Sequence, residues 1–341
     1  MSHLLVNHPL LVDVSGDTYR PGSESHIFDR FPRSKVNAIQ TERLRERLKT
    51  KPLAKEILDH GVIMHYTPNY AGLKNIEDDI VKSLKENQKT RKSAKFLLML
   101  RNPTSRTASS WWYKNHCYKN PGHRCPSFKE QVDTGIAAVQ KMQLCYVKHN
   151  FTLDRLVNGL RYGQRDLTKA EQQVLDLCPI TLMAPPNTSI LGAHVGKSMY
   201  VYQLAHWFDR IPSSQIYLMF LENYVENPVR EMEMFFEWLG VEVYGPSGFE
   251  SPEALSNLTQ IQYNVHPIPP EILKKEVVPY RRLLDEFYRP YVRALQMLLR
   301  PRLSSHKSEP TGDWSELVQE VLEDRLLARN ERIVGESHLR L

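Results

Sequence analysis

The chain has 341 residues, of which 41% are hydrophobic, 25% charged and 9% aromatic. This composition is typical of globular proteins and excludes collagenous, fibrous and disordered classes. The 45 Lys and Arg residues exceed the 39 Asp and Glu residues, for a formal net charge of +6, which weakly favours a polyanionic partner. No apolar run approaches the roughly 18 residues that a membrane-spanning helix needs, so we expect no membrane span in this chain.

The hydrophobic pattern predicts short strands that alternate with amphipathic helices. Three apolar runs have the length of strands, at Gly61–Tyr66, Lys95–Leu100 and Gln215–Phe220. Apolar residues recur at three- and four-residue spacing elsewhere, which predicts helices over 42–58, 73–87, 128–139, 200–207, 228–239 and 283–298. Such alternation is typical of an α/β domain with a mainly parallel sheet.

Two boundaries are marked by composition. Pro228 lies in the first turn of the predicted helix 228–239 and Gly240 follows its end, as proline and glycine do at helix termini. After Pro301 the chain becomes polar. We therefore expect one domain over residues 1–300 and a polar C-terminal appendage over 301–341, with a peripheral helix from Trp314 to Leu327.

The segment from Lys95 to Trp112 carries the strongest chemical signal. A buried strand leads to Arg101, Pro103 suits the first turn of a helix, and Ser109 follows on that helix. Ligands of open α/β sheets bind at the carboxyl ends of strands, where a guanidinium, a hydroxyl and free helix-start N–H groups suit a phosphate. As an isolated pair, Arg101 and Ser109 fit a strand-end salt bridge and an ordinary helix serine equally well.

With its neighbours, this segment resembles the 3′-phosphate-binding segment of sulfotransferases that use 3′-phosphoadenosine-5′-phosphosulfate (PAPS). Their pattern of an apolar strand, then Arg-Asp/Asn-Pro-x-x-Arg-x-x-Ser, is matched by Arg101, Asn102, Pro103, Arg106 and Ser109. Further stretches resemble Golgi carbohydrate sulfotransferases, including the heparan and chondroitin sulfate enzymes, in the same order along the chain, at 66–70, 198–208, 226–240 and 284–290. The resemblance covers about residues 4–300 and implies an α/β, P-loop-like three-layer sandwich with a mainly parallel central sheet.

The resemblance implies a reaction and two cofactor-binding residues. The enzyme would move a sulfuryl group from PAPS to a hydroxyl of a glycosaminoglycan-like polysaccharide by in-line displacement, with Arg101 and Ser109 on the 3′-phosphate. No metal is required. The partner would be an acidic glycan, and no nucleic acid is expected.

A second stretch implies the catalytic base. Residues 23–29, Ser-Glu-Ser-His-Ile-Phe-Asp, resemble the Lys-Glu-x-His-Phe-Phe-Asp of heparan sulfate sulfotransferases, whose Glu is the base; Ser23 replaces the lysine. A sugar hydroxyl must lose its proton as it attacks sulfur, so a base within hydrogen-bond reach is needed. The resemblance implies Glu24 in this role, with His26 as an assistant or a structural partner of Asp29.

The chain also departs from the family. The Pro-Lys-x-Gly-Thr loop that holds the 5′-phosphate in relatives, and the first strand before it, would fall before Met1. We expect an N-terminally incomplete sulfotransferase; the alternative is a diverged, inactive relative. Gln262–Val265 and His65 also differ from the heparan sulfate enzymes, which points loosely to chondroitin- or dermatan-type enzymes or to another polysaccharide.

Sequons and cysteines bear on the compartment. The sequons at Asn150, Asn187 and Asn257 could accept glycans only in a secretory lumen, whereas residues 1–12 carry no secretory signal. We expect the full-length form in the Golgi lumen, with its signal or anchor upstream of this sequence.

The cysteines form no zinc-ligand spacing. Cys117, Cys125, Cys145 and Cys178 allow three disulfide connectivities, or remain buried free thiols. The pairing that we favour is Cys145 with Cys178 and Cys117 with Cys125.

Two other classes of protein share features with this sequence. Gly192–Ser198 resembles a Walker A loop, which would make a P-loop nucleotide-binding protein, but has three residues between its glycines where the motif needs four. A nucleic-acid-binding protein would use the basic cluster Lys89–Lys95 and the pair Trp111-Trp112. A solvated turn or a groove for an acidic glycan suits the cluster better, and core packing suits the tryptophans.

Overall fold

The fold is given by a computed structural model that describes residues 8–13, 62–64, 94–114, 126–160, 167–178, 193–260 and 267–303, with five positions between 42 and 49. The chain divides into two compact units, one of residues 1–99 with 215–265 and one of residues 100–214 with 266–341. The described part is mostly helical. The predicted helices 73–87 and Trp314–Leu327, and most of 42–58, lie outside the described residues.

The described elements, in chain order, are as follows. The strands are β1 (Leu11–Asp13), β2 (Val62–Met64), β3 (Phe96–Leu100) and β4 (Ile216–Phe220). The helices are α1 (Pro103–Lys114), α2 (Phe128–Lys148), α3 (Leu153–Leu160), α4 (Lys169–Leu177), α5 (Ala193–Gly196), α6 (Tyr200–Arg210), α7 (Leu221–Glu226), α8 (Pro228–Leu239), α9 (Pro252–Thr259), α10 (Pro270–Ile272) and α11 (Val278–Leu303). A 3₁₀ turn, Ser213–Gln215, precedes β4, and a π-helical turn, Leu273–Val277, precedes α11.

The strands form two small sheets in the described residues. β1 pairs in parallel with β2, with Leu11 opposite Val62 and Asp13 opposite Met64, and β3 pairs with β4. The three predicted strands are confirmed, each with its centre in the predicted run. The expected α/β character is thus present as a small parallel sheet within a mostly helical chain.

The core of the first unit surrounds β4 and α8. It is built from buried apolar side chains, namely Leu11, Met219, Met232, Phe235, Phe236, Val241, Phe249 and Leu255. The ends of α8 are those that the sequence predicts: Pro228 is the first helical residue, and Gly240 ends the helix at φ 78°. That left-handed conformation strains most side chains but not glycine. Asn227 caps the helix by accepting a hydrogen bond from the Arg230 N–H at 3.3 Å.

The second unit is helical in its described residues. α2 begins with a capping box, in which the Ser127 side chain accepts from the Glu130 N–H and the Glu130 side chain accepts from the Ser127 N–H. Gly135 allows α2 to approach α5, because a Cβ there would lie 2.5 Å from the Cβ of Val195. Trp111, Phe128, Leu156, Leu204 and Tyr288 are among the buried side chains of this unit.

A disulfide joins α2 to the C-terminal end of α4. Cys145 and Cys178 are bonded, with their Cα atoms 5.8 Å apart, so this half of the favoured pairing is confirmed. Cys117 and Cys125 lie outside the described residues. Among the described helices, none is both long and apolar enough to cross a lipid bilayer.

Candidate functional site

The residues of the predicted phosphate site lie at the end of β3 and along α1. Asn102 caps the helix: its Oδ1 accepts from the Ser105 N–H at 3.0 Å and its carbonyl from the Arg106 N–H at 2.8 Å. Pro103 has no N–H. Of the first-turn N–H groups that the sequence predicts for an anion, one is therefore absent and another is engaged by the cap. The helix start thus offers an anion fewer free N–H groups than an uncapped helix does.

Burial along α1 follows the helical period. Thr104, Thr107 and Trp111 lie on the buried side, whereas the serines at 105, 109 and 110 and Arg106 are half-buried. Residues three or four apart share a face of a helix. α1 consequently has a core-facing side and a partly open side, and the predicted Ser109 lies on the open side.

One edge of the open side is closed by contacts with α5 and the turn after it. Arg106 donates through Nη1 to the Ser198 hydroxyl at 3.2 Å and to the His194 carbonyl at 3.4 Å. The Ser110 hydroxyl and His194 Nδ1 are 2.6 Å apart. Arg106, although it matches the family pattern, is thus engaged inside the second unit.

The other edge is open. The hydroxyls of Ser105 and Ser109, one turn apart, make no hydrogen bond within the part of the chain that the structure describes. Arg101 is half-buried, and its backbone N–H donates to the Tyr200 hydroxyl at 3.3 Å. The site therefore combines a half-buried guanidinium-bearing residue at a strand end with an available serine hydroxyl on the helix that follows.

Buried hydrogen bonds anchor the core-facing side of α1 to α11. The Thr107 Oγ1 lies 2.8 Å from the Tyr288 hydroxyl and 3.0 Å from the Ser198 hydroxyl. Tyr288 also donates to the Val195 carbonyl at 3.1 Å, and Thr104 donates to Asp285 at 2.5 Å. Burial raises the pKa of Tyr288, so its hydroxyl keeps its proton at neutral pH.

The sequence did not predict this network. Tyr288 fits the apolar stripe of the last helix, and its hydroxyl adds no signal to that pattern. Thr104 and Thr107 occupy the variable positions of the family motif. The Arg-Asn-Pro-x-x-Arg-x-x-Ser pattern predicts a phosphate site on this helix but says nothing about the residues that hold the helix in place.

The predicted catalytic residues Glu24 and His26 lie outside the described residues. Their assignment as base and assistant stays a prediction.

The Walker-like segment does not have the arrangement of a phosphate loop. α5 is a single helical turn, and Ser198 is only 2% exposed. Its hydroxyl is engaged by Arg106, Thr107 and the His194 carbonyl, whereas a Walker A hydroxyl must reach a magnesium ion. Trp111 and Trp112 are buried, so they pack in the core and offer no stacking surface to bases.

One group of side chains has the spacing of metal ligands. The ligand atoms of Cys145, His149 and Cys178 lie within 4.8 Å of one another. The thiolate is the form of cysteine that ligates a metal, and both sulfurs are used by the disulfide. In the disulfide-bonded chain, Cys145 and Cys178 are therefore not available as metal ligands, and only His149 of the three remains.

A buried carboxyl in the first unit was also missed. Glu231 on α8 is 7% exposed, burial raises its pKa to about 7, and its Oε2 has no hydrogen-bond partner in the described part of the chain. Burial and the neighbouring Glu231 raise the pKa of Tyr217. The sequence signal was the four-residue spacing that puts position 231 on the same face as Phe235.

Comparisons with known proteins do not establish a family for this chain. No protein-family model matches the chain, and no curated protein matches it. A sulfotransferase from Alicyclobacillus acidocaldarius, known from a crystal structure, is similar to it with a TM-score of 0.46 and 16% sequence identity, over 89% of this chain and 91% of that one. At this TM-score and identity, the likeness carries no argument for function.

Proposed function

We propose that the protein is a PAPS-dependent carbohydrate sulfotransferase with a P-loop-like three-layer architecture. The support is the ordered set of sequence resemblances between residues 4 and 300 and the geometry at α1. The observation that carries the proposal is the available hydroxyl of Ser109, half-buried on a helix that begins directly after the strand end bearing Arg101.

This arrangement suits recognition of a phosphate monoester. Arginine offers a charge-assisted, bidentate contact to phosphate oxygens, and a serine hydroxyl can donate one more hydrogen bond. Pro103 has no N–H and the Ser105 N–H is bound to Asn102, so these side chains would be the main ligands. Arg101 and Ser109 are therefore assigned to the 3′-phosphate of PAPS.

The reaction is an in-line displacement at sulfur. The oxygen of a sugar hydroxyl forms the new S–O bond, the S–O bond to the 5′-phosphate breaks, and adenosine 3′,5′-bisphosphate leaves with that bond's electron pair. The hydroxyl proton passes to Glu24, with His26 assisting. Positioning of the two oxygens about the moving group supplies much of the catalysis, as in phosphoryl transfer.

The proposed acceptor is an acidic, glycosaminoglycan-like glycan. A net charge of +6 favours a polyanionic chain through long-range attraction. Nucleic acid is not part of the proposal, nor is a metal, since the sulfuryl group moves without one in the proposed mechanism. The lumen of the Golgi is the proposed compartment, and the confirmed disulfide agrees with an oxidising one.

Nucleotide binding tests the cofactor assignment. Titration calorimetry of the full chain with adenosine 3′,5′-bisphosphate should show binding, and Arg101→Ala should weaken it by about 2 kcal/mol, or roughly thirtyfold in Kd. Arg289→Ala is the matched control, because Arg289 is an exposed arginine of the same unit. An unchanged Kd in Arg101→Ala, or equal losses in both variants, would contradict the assignment.

Turnover tests the base. In preparations that transfer labelled sulfate from PAPS to a glycan, Glu24→Gln should keep nucleotide binding and reduce kcat by at least about a hundredfold. The amide keeps the size of the side chain but cannot accept the proton. Unchanged turnover would remove Glu24 from this role while leaving the cofactor site intact.

A further inference from the structure

The two sequons that the structure describes, at Asn150 and Asn257, differ in local conformation. Asn150 is exposed in the turn between α2 and α3, with φ 52°, a left-handed conformation that asparagine tolerates better than most residues. Its backbone N–H donates to the Val147 carbonyl at 3.0 Å. Thr152, the third residue of the sequon, is exposed and caps α3 by accepting from the Arg155 N–H at 3.1 Å. We propose that Asn150 is an N-glycosylation site.

The neighbouring disulfide provides an independent argument. Cys145, five residues before Asn150, is bonded to Cys178. Disulfides of this kind form and persist in the secretory pathway and outside the cell, where asparagine-linked glycans are also attached. The two chemistries require the same compartment, and the structure places both at the C-terminal end of α2.

Exposed apolar side chains flank the same disulfide. Leu144, Val147 and Leu177 are 68%, 66% and 59% exposed. Leu144 and Val147 share a face of α2. Leu177 directly precedes Cys178 in the sequence, and the Asn150 N–H donates to the Val147 carbonyl. Large contiguous apolar patches are uncommon on a monomer surface, whereas single exposed apolar residues are ordinary. A bulky, hydrophilic oligosaccharide on Asn150 would shield these side chains from other proteins.

Asn257 offers a contrast. It lies in the last turn of α9, and the hydroxyl of Thr259, in the same sequon, is buried and donates to the Ser256 carbonyl at 2.8 Å. Transfer to the folded chain at this position would require the helix end to unwind. The turn at Asn150 needs no such change, so occupancy should be higher at Asn150 than at Asn257. Asn187 lies outside the described residues.

The modification is a group transfer with a lipid-linked oligosaccharide pyrophosphate as donor. The side-chain amide nitrogen of Asn150 forms a bond to C1 of the first sugar, the C1–O bond to the pyrophosphate breaks, and the lipid pyrophosphate leaves with that electron pair. The amide loses one proton to a base of the transferring enzyme. This inference is independent of sulfuryl transfer, since it depends on the compartment and the turn.

The test uses the full 341-residue chain directed into the secretory pathway of animal cells by a cleavable signal peptide. A peptide N-glycosidase in heavy-oxygen water removes each glycan and converts its Asn into a labelled Asp. Peptide mapping then locates the labelled positions. We expect the label at position 150 in most molecules and at 257 in fewer. Asn150→Asp and Thr152→Ala should each abolish the mobility shift that this glycan causes, whereas Thr152→Ser, which keeps both the sequon and a capping hydroxyl, should retain it.

Formation of the Cys145–Cys178 disulfide, mapped without reduction in the same sample, verifies that the chain folded in an oxidising lumen. An unlabelled Asn150 in disulfide-bonded molecules would overturn the proposal. So would a glycan confined to Asn257, or retention of the shift in both Asn150→Asp and Thr152→Ala.

Discussion

Ser109 and Ser110 are adjacent in sequence and differ in their surroundings. The Ser110 hydroxyl is bound to His194, while the Ser109 hydroxyl makes no hydrogen bond among the described residues. Of these two serines, only Ser109 is proposed to contact the 3′-phosphate. Composition and helical spacing do not distinguish the two serines; the family motif selects Ser109, and the tertiary contacts explain why Ser110 has a structural role.

Replacing each serine by alanine should therefore give opposite results. Ser110→Ala should lower the free energy of unfolding by about 1 kcal/mol, because it removes a partly buried hydrogen bond, and leave nucleotide affinity unchanged. Ser109→Ala should leave stability nearly unchanged and weaken binding of adenosine 3′,5′-bisphosphate. Urea unfolding and calorimetry on both variants measure this; equal effects on affinity would contradict the separate roles.

Glu231 predicts a pH dependence of stability. Its pKa is raised from 4.5 to about 7 by burial, so the folded state binds its proton more tightly than the unfolded state between these values. The free energy of unfolding should fall as pH rises through this window, by up to about 3 kcal/mol, and level off above it.

Glu231→Gln should remove that dependence. The variant should gain stability relative to the parent chain at pH 8 and little or none at pH 4, since a neutral amide resembles the protonated carboxyl. Urea unfolding across this pH range is the measurement, and Glu226→Gln, at an exposed acid in the same unit, is the control. Parallel pH profiles for parent and Glu231→Gln would show that Glu231 is not the cause.

At the scale of elements, sequence prediction succeeded where local chemistry sets the boundaries. α8 begins at Pro228 and is ended by Gly240, as the backbone preferences of the two residues require. The continuous apolar runs form β3 and β4. Sequence prediction failed where tertiary packing decides. Leu283 begins the apolar pattern of the predicted helix 283–298 but is 45% exposed, because the stripe that α11 buries is narrower than the spacing alone predicts.

The position of α1 depends on its hydrogen bonds to α11 and α5. Tyr288→Phe removes the hydroxyl that meets Thr107 and the Val195 carbonyl, so we expect a loss of about 1–3 kcal/mol in unfolding free energy. Tyr280→Phe is the control, since the Tyr280 hydroxyl makes no hydrogen bond in the described part of the chain and its ring contacts Phe128. Urea unfolding should separate the two variants; equal losses would show that the Tyr288 hydroxyl has no anchoring role.

At the scale of the whole molecule, the Cys145–Cys178 bond closes a segment of 33 residues. A cross-link of this span restricts the unfolded chain and should stabilise the fold by roughly 3–4 kcal/mol. Cys145→Ser and Cys178→Ser should each lose this amount, and the double variant should lose little more, because either change breaks the same bond. Losses that add in the double variant would contradict this reasoning.

The proposal for the whole molecule is that the second unit binds a 3′-phosphate between Arg101 at the strand end and Ser109 on the open side of α1. The most direct measurement is the ratio of the dissociation constants for adenosine 5′-phosphate and adenosine 3′,5′-bisphosphate. The full chain should prefer the bisphosphate by at least about thirtyfold, as expected for charge-assisted contacts to one phosphate, and Arg101→Ala should reduce most of this preference. Equal affinities for the two nucleotides in the parent chain would contradict the assignment of Arg101 and Ser109 and with it the sulfotransferase proposal.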